Sequence, residues 1–283
     1  MELYKNDIIA AIKTKGLLLS NADINSTFFL YKKEWRLPEA TTVNDFLDFL
    51  IKQKKIIKVI HLKSEKRSII RYHLKTIIIS PQELAIALYP NIYLSHYSAA
   101  TIHDLTDEIV KSIYVNKEQL EKKEGRVSEL IQKNIDEAFS KPMRQTNQYF
   151  DYNEQRIYVL NGKFANYLGV IEHNGIRVTN LERTLIDITV RPEYCGGVRE
   201  VLNIYERAKG DVSVNKIKAY LQKLNYLYPY HQAIGFYLER AGYKDSVLKL
   251  IETIPIKYNF YLTYNIQKKE YSDRWHLYVP ENL

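Results

Sequence analysis

Nine cations stand between Lys52 and Lys75: Lys52, Lys54, Lys55, Lys58, Lys63, Lys66, Arg67, Arg71 and Lys75, with Glu65 as the only acid. The excess of this window equals the +8 net charge of the whole 283-residue chain, so the remainder is close to neutral. Ammonium and guanidinium groups crowded together without acids do one kind of chemistry well. They attract phosphates and displace the counterions around them. A solvated face on a Lys-rich chain is the other reading of the same charges, and the elements that carry them must decide.

Residue sets for other chemistry are sparse. The chain has no G-x-x-x-x-G-K-[ST], G-x-G-x-x-G or G-x-S-x-G string. Its single cysteine, Cys195, excludes an internal disulfide and a multi-cysteine zinc site, and reads as a possible exposed thiol with no local base. Among the seven histidines His103 stands beside a carboxylate, Asp104, a neighbour more often structural than catalytic. Asp151 and Glu172 suggest half of a nuclease centre, but His173 and Asn174 stand where its lysine would be needed. The expectation is a non-enzyme without metal or cofactor. The alternative is a divergent nuclease-like or other metal-dependent domain behind a DNA-binding front end.

The elements around the cations have a recognisable order. Ile8, Ile9 and Ile12 fall at helical spacing and Gly16 stops the helix. Ser20 is a candidate N-cap for a second helix from Asn21 to about Tyr31. Thr42 with Asp45 resembles a capping box that opens a third, from Val43 to about Lys54. Two β-branched runs follow, 56–62 and 68–74, joined by the polar loop Lys63 to Arg67. Three helices and a hairpin with a cationic tip spell a winged helix-turn-helix, whose third helix enters the major groove while the wing meets the backbone. Thr41, Thr42, Asn44 and Lys52 would face bases, since Asn can read adenine and Thr a thymine methyl. Lys54, Lys55, Lys63, Lys66, Arg67 and Arg71 would contact phosphate. A winged helix that binds protein is the other use of such a module.

Beyond residue 80 the pattern is mixed α/β. A short helix starts at Pro81, a helix follows Tyr97, and Ser112–Val115 reads as a strand. A charged stretch, about 116–150, reads as a helix or connection. Asn161-Gly162 and Asn174-Gly175 are hairpin-turn dipeptides. Helices are expected over 181–189, 198–209, 214–224, 232–241 and 246–253, then two aromatic strands, 259–264 and 275–279. The fold expected is therefore α+β, with a winged helix-turn-helix over 1–80 and a helix-rich α/β domain over 81–283. The start lacks the order of a signal peptide and no apolar run could span a bilayer, so a cytoplasmic location without membrane contact is expected.

The most distinctive string is Leu181-Glu182-Arg183-Thr184-Leu185-Ile186-Asp187, continuing through Arg191-Pro192-Glu193 to Gly196-Gly197 and Glu200-Val201-Leu202. Upstream stand Tyr93-Leu94-Ser95, Ser98-Ala99-Ala100, His103 and Ile113-Tyr114-Val115; downstream stands Gly235-Phe236-Tyr237-Leu238-Glu239. In order and spacing these resemble the AbiEi family of bacterial antitoxins and related transcriptional regulators, over about 81–242. The resemblance implies the antitoxin of a type IV toxin–antitoxin system, linked to phage defence. Such a protein represses its own operon by binding double-stranded operator DNA with inverted repeats, and counteracts a nucleotidyltransferase-like toxin. The long connection over 116–155 and the terminal aromatic strands depart from the pattern. If the back domain acts on toxin, Glu182, Arg183, Asp187 and Arg191 are its polar candidates; as residues alone they read equally as ion pairs within a scaffold helix.

Overall fold

The computed structural model describes residues 1–108, 110–121 and 129–283. The chain is mixed α+β and forms two compact units. One comprises Met1–Pro90 together with Tyr149–Arg156; the other comprises Asn91–Gln148 and Ile157–Leu283.

In the first unit, α1 (Lys5–Lys13), α2 (Asn21–Tyr31) and α3 (Val43–Asp48) precede a hairpin of β1 (Ile57–Lys63) and β2 (Ser68–Leu74). Ser20 and Thr42 each cap their helix in a reciprocal box with an aspartate three residues on, so two orphan amides are satisfied at each start. The helices close on Ile8, Ile12, Ile24, Phe28, Trp35, Phe46 and Leu50. Trp35 stacks on Phe46 with ring centroids 5.7 Å apart. Leu19, between α1 and α2, exchanges backbone hydrogen bonds with Tyr72 of β2 and so adds a one-residue third strand to the hairpin.

The third helix differs from the even α-helix expected to Lys54. After Asp48 it widens into a π turn, Phe49–Gln53, with the Lys54 amide reaching the Phe49 carbonyl at 2.9 Å. The Leu50 carbonyl is taken instead by Ile56, and no glycine is present to reverse the chain. Lys55 makes the reversal itself, at φ +50°.

The first unit also extends past residue 80. In α4 (Pro81–Ile86), Ser80 and Glu83 form another capping box. Arg71 ties the far end of that helix to β2, donating from Nε to Ala87 O and from Nη2 to Leu88 O, both at 2.8 Å. Tyr149–Tyr152 forms β5, which pairs antiparallel with β1 through Lys63 and Asp151, giving the order β2-β1-β5.

The second unit holds the sheet β6-β4-β3-β8-β7. Its strands are β3 (Tyr93–Leu94), β4 (Ser112–Asn116), β6 (Gln155–Leu160, from Ile157 on in this unit), β7 (Val170–His173) and β8 (Ile176–Thr179). Asn174 and Gly175 both take positive φ between β7 and β8, the two-residue turn their sequence demands. Asn161-Gly162 makes no such hairpin. Gly162 does not have positive φ; it lies against the Asn116 side-chain amide, where a Cβ would clash, and its amide donates to Asn116 Oδ1.

Helices α5 (His96–Ile102), α6 (Gln132–Phe139), α7 (Leu181–Val190), α8 (Val198–Arg207), α9 (Val214–Leu224), α10 (Tyr230–Arg240) and α11 (Asp245–Glu252) surround this unit's core. The charged stretch is thus helical only over α6 among its described residues; 122–128 lie outside them. The C-terminal strands are β9 (Phe260–Tyr261) and β11 (Leu277–Pro280), with an unforeseen β10 (Lys269–Ser272) completing a three-stranded sheet. Leu185, Ile186, Ile188, Tyr205, Ile234, Tyr237 and Trp275 are buried at the unit's centre. No helix among the described residues is long and apolar enough to cross a membrane.

Candidate nucleic-acid interface

Three of the proposed base-reading residues, Thr41, Thr42 and Asn44, lie at the start of α3, while Lys52 lies in the π turn at its other end. Asn44 and Thr42 are exposed and Thr41 is half-buried. The Thr42 hydroxyl is committed to Asp45 Oδ2 at 2.7 Å, which leaves its methyl as the part available to a partner. Those same hydrogen bonds, the Thr42 backbone amide first, hold the Asp45 carboxyl below its ordinary value. Asp45 therefore stays ionised beside Asn44, an acid that the count of cations did not include.

The cations at the other end of the helix are partly matched. Lys52 pairs with Asp48 at 2.9 Å, and Lys54 with Glu2 at 2.6 Å. Both are solvent-accessible contacts of the kind worth about 0–1 kcal/mol, which a phosphate can replace. Lys55 is exposed and forms no ion pair among the described residues.

The hairpin tip is built by one backbone bond, Ser64 N to Arg67 O at 2.9 Å. It leaves Lys63, Lys66 and Arg67 exposed, none in an ion pair among the described residues. Glu65, the one acid of the basic window, accepts from the Tyr149 hydroxyl at 3.0 Å. Arg156 brackets Asp151 at 2.7 Å and lies 4.0 Å over the Tyr149 ring. The tip thus gains a neighbour from a segment 84 residues further along the chain. Sequence reasoning missed it, because strand pairing at that separation leaves no local signal.

Arg71 leaves the phosphate set. Its Nε and Nη2 hold the end of α4, and its Nη1 donates to Ile70 O at 2.9 Å, so a half-buried guanidinium is occupied by carbonyls. Its role is to fasten α4 to the hairpin.

The four polar candidates of the second unit all hold structure. Glu182, Arg183 and Asp187 are buried, at 5%, 4% and 6% exposure. Glu182 Oε1 accepts from the Ser213 amide at the start of α9 and Oε2 meets Lys216 at 2.8 Å. Burial pushes that carboxyl up, but these bonds prevail and its pKa lies below the ordinary value. Arg183 Nε donates to Asp187 Oδ1 at 2.8 Å and Nη1 to Leu168 O at 2.9 Å. Arg191 Nη1 donates to Arg144 O at 3.0 Å. The geometry joins α7 to α9 and to the 144 and 168 loops.

The other chemical candidates are also internal. Cys195 is buried rather than exposed, and burial pushes its thiol well up, away from a reactive thiolate. His103 is bonded to the Thr179 carbonyl at 2.6 Å. Among the described residues no three His, Cys, Asp or Glu side chains gather as a metal site.

No family model matches the chain, and no curated protein matches it. Among solved structures it is similar to the RV2827C protein from Mycobacterium tuberculosis, at 10% identity and a TM-score of 0.60. The likeness covers 99% of this chain and 92% of that one, and it is a likeness of fold.

Proposed function

We propose that this protein is a DNA-binding transcriptional regulator whose first unit is a winged helix-turn-helix, with α3 in the major groove and the β1–β2 hairpin as its wing. The observation that carries this reading is the hairpin tip: Lys63, Lys66 and Arg67 stand in solvent without acidic partners among the described residues, while the acid between them is held by Tyr149. The order helix, short strand at Leu19, helix, helix, hairpin supports it, being that of winged modules. The regulator is read further as an AbiEi-like antitoxin in the cytoplasm that represses its own operon and counteracts a nucleotidyltransferase-like toxin. That part rests on the 181–202 string and its neighbours. The buried roles of Glu182, Arg183 and Asp187 indicate that the string maintains the second unit, so toxin contact falls to other residues of that unit.

The test is fluorescence anisotropy with duplex DNA from upstream of the gene, across a salt series. Changing Lys63, Lys66 and Arg67 together to alanine should lower the affinity for specific and random duplex alike. The salt slope should fall by about 0.9 for each phosphate that is no longer neutralised. An unchanged affinity and slope in the folded variant would remove the wing assignment.

A further inference from the structure

The small C-terminal sheet carries three tyrosines in one row. In β10, β11 and β9, Tyr271 stands opposite Tyr278 and Tyr278 opposite Tyr261. Side chains alternate along a strand, so Phe260, Leu277 and Val279 enter the core and the tyrosines take the outer face. Neighbouring ring centroids are 5.0 Å apart in both pairs. Phe139 of α6, buried in the core, packs beside Tyr261 at 5.8 Å and 11° from parallel.

Hydroxyl bonds fix two of the rings: Tyr271 donates to Asn259 Oδ1 at 2.7 Å and Tyr261 to Asp136 Oδ1 at 3.0 Å. Lys269 shares their face, two residues before Tyr271. Its Nζ lies 4.5 Å from the Tyr278 centroid and 5.3 Å from that of Tyr261. Lys269 is exposed and in no ion pair among the described residues, and Tyr271 is 41% exposed. By register the strand residues of the face are Lys269, Tyr271, Tyr278, Pro280 and Tyr261, none of them acidic; the Asp136 carboxylate of α6 stands at the Tyr261 edge, on that ring's hydroxyl.

Cross-strand packing accounts for the contact between the rings. Cation–π attraction holds Lys269 over them, and no ion pair among the described residues neutralises its charge, which stays available to an anion. We propose that this face binds single-stranded nucleic acid, with unpaired bases stacking on Tyr271 and Tyr278 and a phosphate meeting Lys269. Aromatic rows on a sheet beside a cation take successive bases because every base offers a π-face. Duplex DNA keeps those faces inside its own stack and has nothing to offer the row. A peptide would seek aliphatic anchors in a groove, whereas this face is a sheet surface whose one aliphatic residue is Pro280. The site stands apart from the duplex reading of the first unit, and either can fail without the other.

The experiment is anisotropy of fluorescein-labelled oligo-dT and oligo-U strands of about 12 nucleotides with the full chain. Tyr271→Ala should weaken strand binding about tenfold, and Tyr271→Phe, which keeps the ring, should bind as the parent does. Lys269→Ala leaves every ring in place and should weaken binding and lower its salt dependence. Strand binding should persist in the Lys63, Lys66 and Arg67 triple-alanine variant, and duplex binding should persist in Tyr271→Ala. The proposal is overturned if the chain binds no single strand. It is equally overturned if Tyr271→Ala and Lys269→Ala bind as the parent does, or if strand affinity disappears only in the triple variant.

Discussion

Gly235 of α10 and Trp275 lie in direct contact, the six-membered ring of the indole occupying the space where a Cβ on residue 235 would stand. The ring cannot retreat. Trp275 is wholly buried and its Nε1 donates to Glu239 Oε2 at 2.7 Å. Gly235→Ala should therefore lower stability by about 1–3 kcal/mol in urea unfolding, although alanine is the better helix former by about 1 kcal/mol. A more stable variant would mean that the ring shifts without cost.

Lys55 ends the third helix in the left-handed region, where a side chain costs about 1–2 kcal/mol. Lys55→Gly should raise the unfolding midpoint while weakening duplex binding, because the cation is removed. The two effects should move in opposite directions, and thermal melts with anisotropy on the same sample check both.

Arg71 and the hairpin tip should separate cleanly. Arg71→Ala removes three bonds to carbonyls and should lower Tm without changing the salt slope of duplex binding. A reduced slope at normal stability would return Arg71 to the phosphate-binding set.

Asp187→Ala would leave the Arg183 guanidinium buried and unpaired, at a cost of about 3–5 kcal/mol. Replacing both at once, Arg183→Met with Asp187→Leu, should recover much of that stability, because it removes the unpaired charge. Urea unfolding of the two variants gives the comparison. A double variant as unstable as Asp187→Ala would mean that the Arg183 bond to Leu168 O matters more than the pair.

Burial lowers the pKa of His96 from 6.5 to about 4, outweighing the opposing pull of Asp187. Burial lowers His231 to about 4 as well. As pH falls below 6.5 the unfolded chain takes up protons that the folded chain refuses, so stability falls between pH 6.5 and about 4. His96→Asn suits the positive φ of this position and should flatten part of that decline. Urea midpoints at about pH 7 and about pH 5 read it; an equal decline in the variant would put the titration elsewhere.

Much of the architecture is local and so legible in the chain. The N-cap at Ser20 and the box at Thr42 announce α2 and α3, Asn174-Gly175 announces its hairpin, and α9 occupies the span expected of it. What the sequence hides is set by distant partners. The Asn116 amide decides what Gly162 does, and β5 joins β1 with nothing near residue 150 to announce it. The same holds at the candidate interface. The cations of the 52–75 window are visible as composition, but whether each one is free is settled by Tyr149, Asp48, Glu2 and the end of α4.

The strand at Tyr149–Tyr152 has a consequence for the order of events on the ribosome. Synthesis proceeds from the N-terminus at about 5–20 residues per second, and β1 emerges well before the strand that pairs with its Lys63 end. Until then the nascent chain presents the Lys63 end of the β1 edge without its partner, a place where another chain could pair. A fragment cut at residue 90 would lack that partner permanently. The bound strand acts as a late-arriving latch, and the hairpin tip reaches its finished form only after Tyr152 has been made.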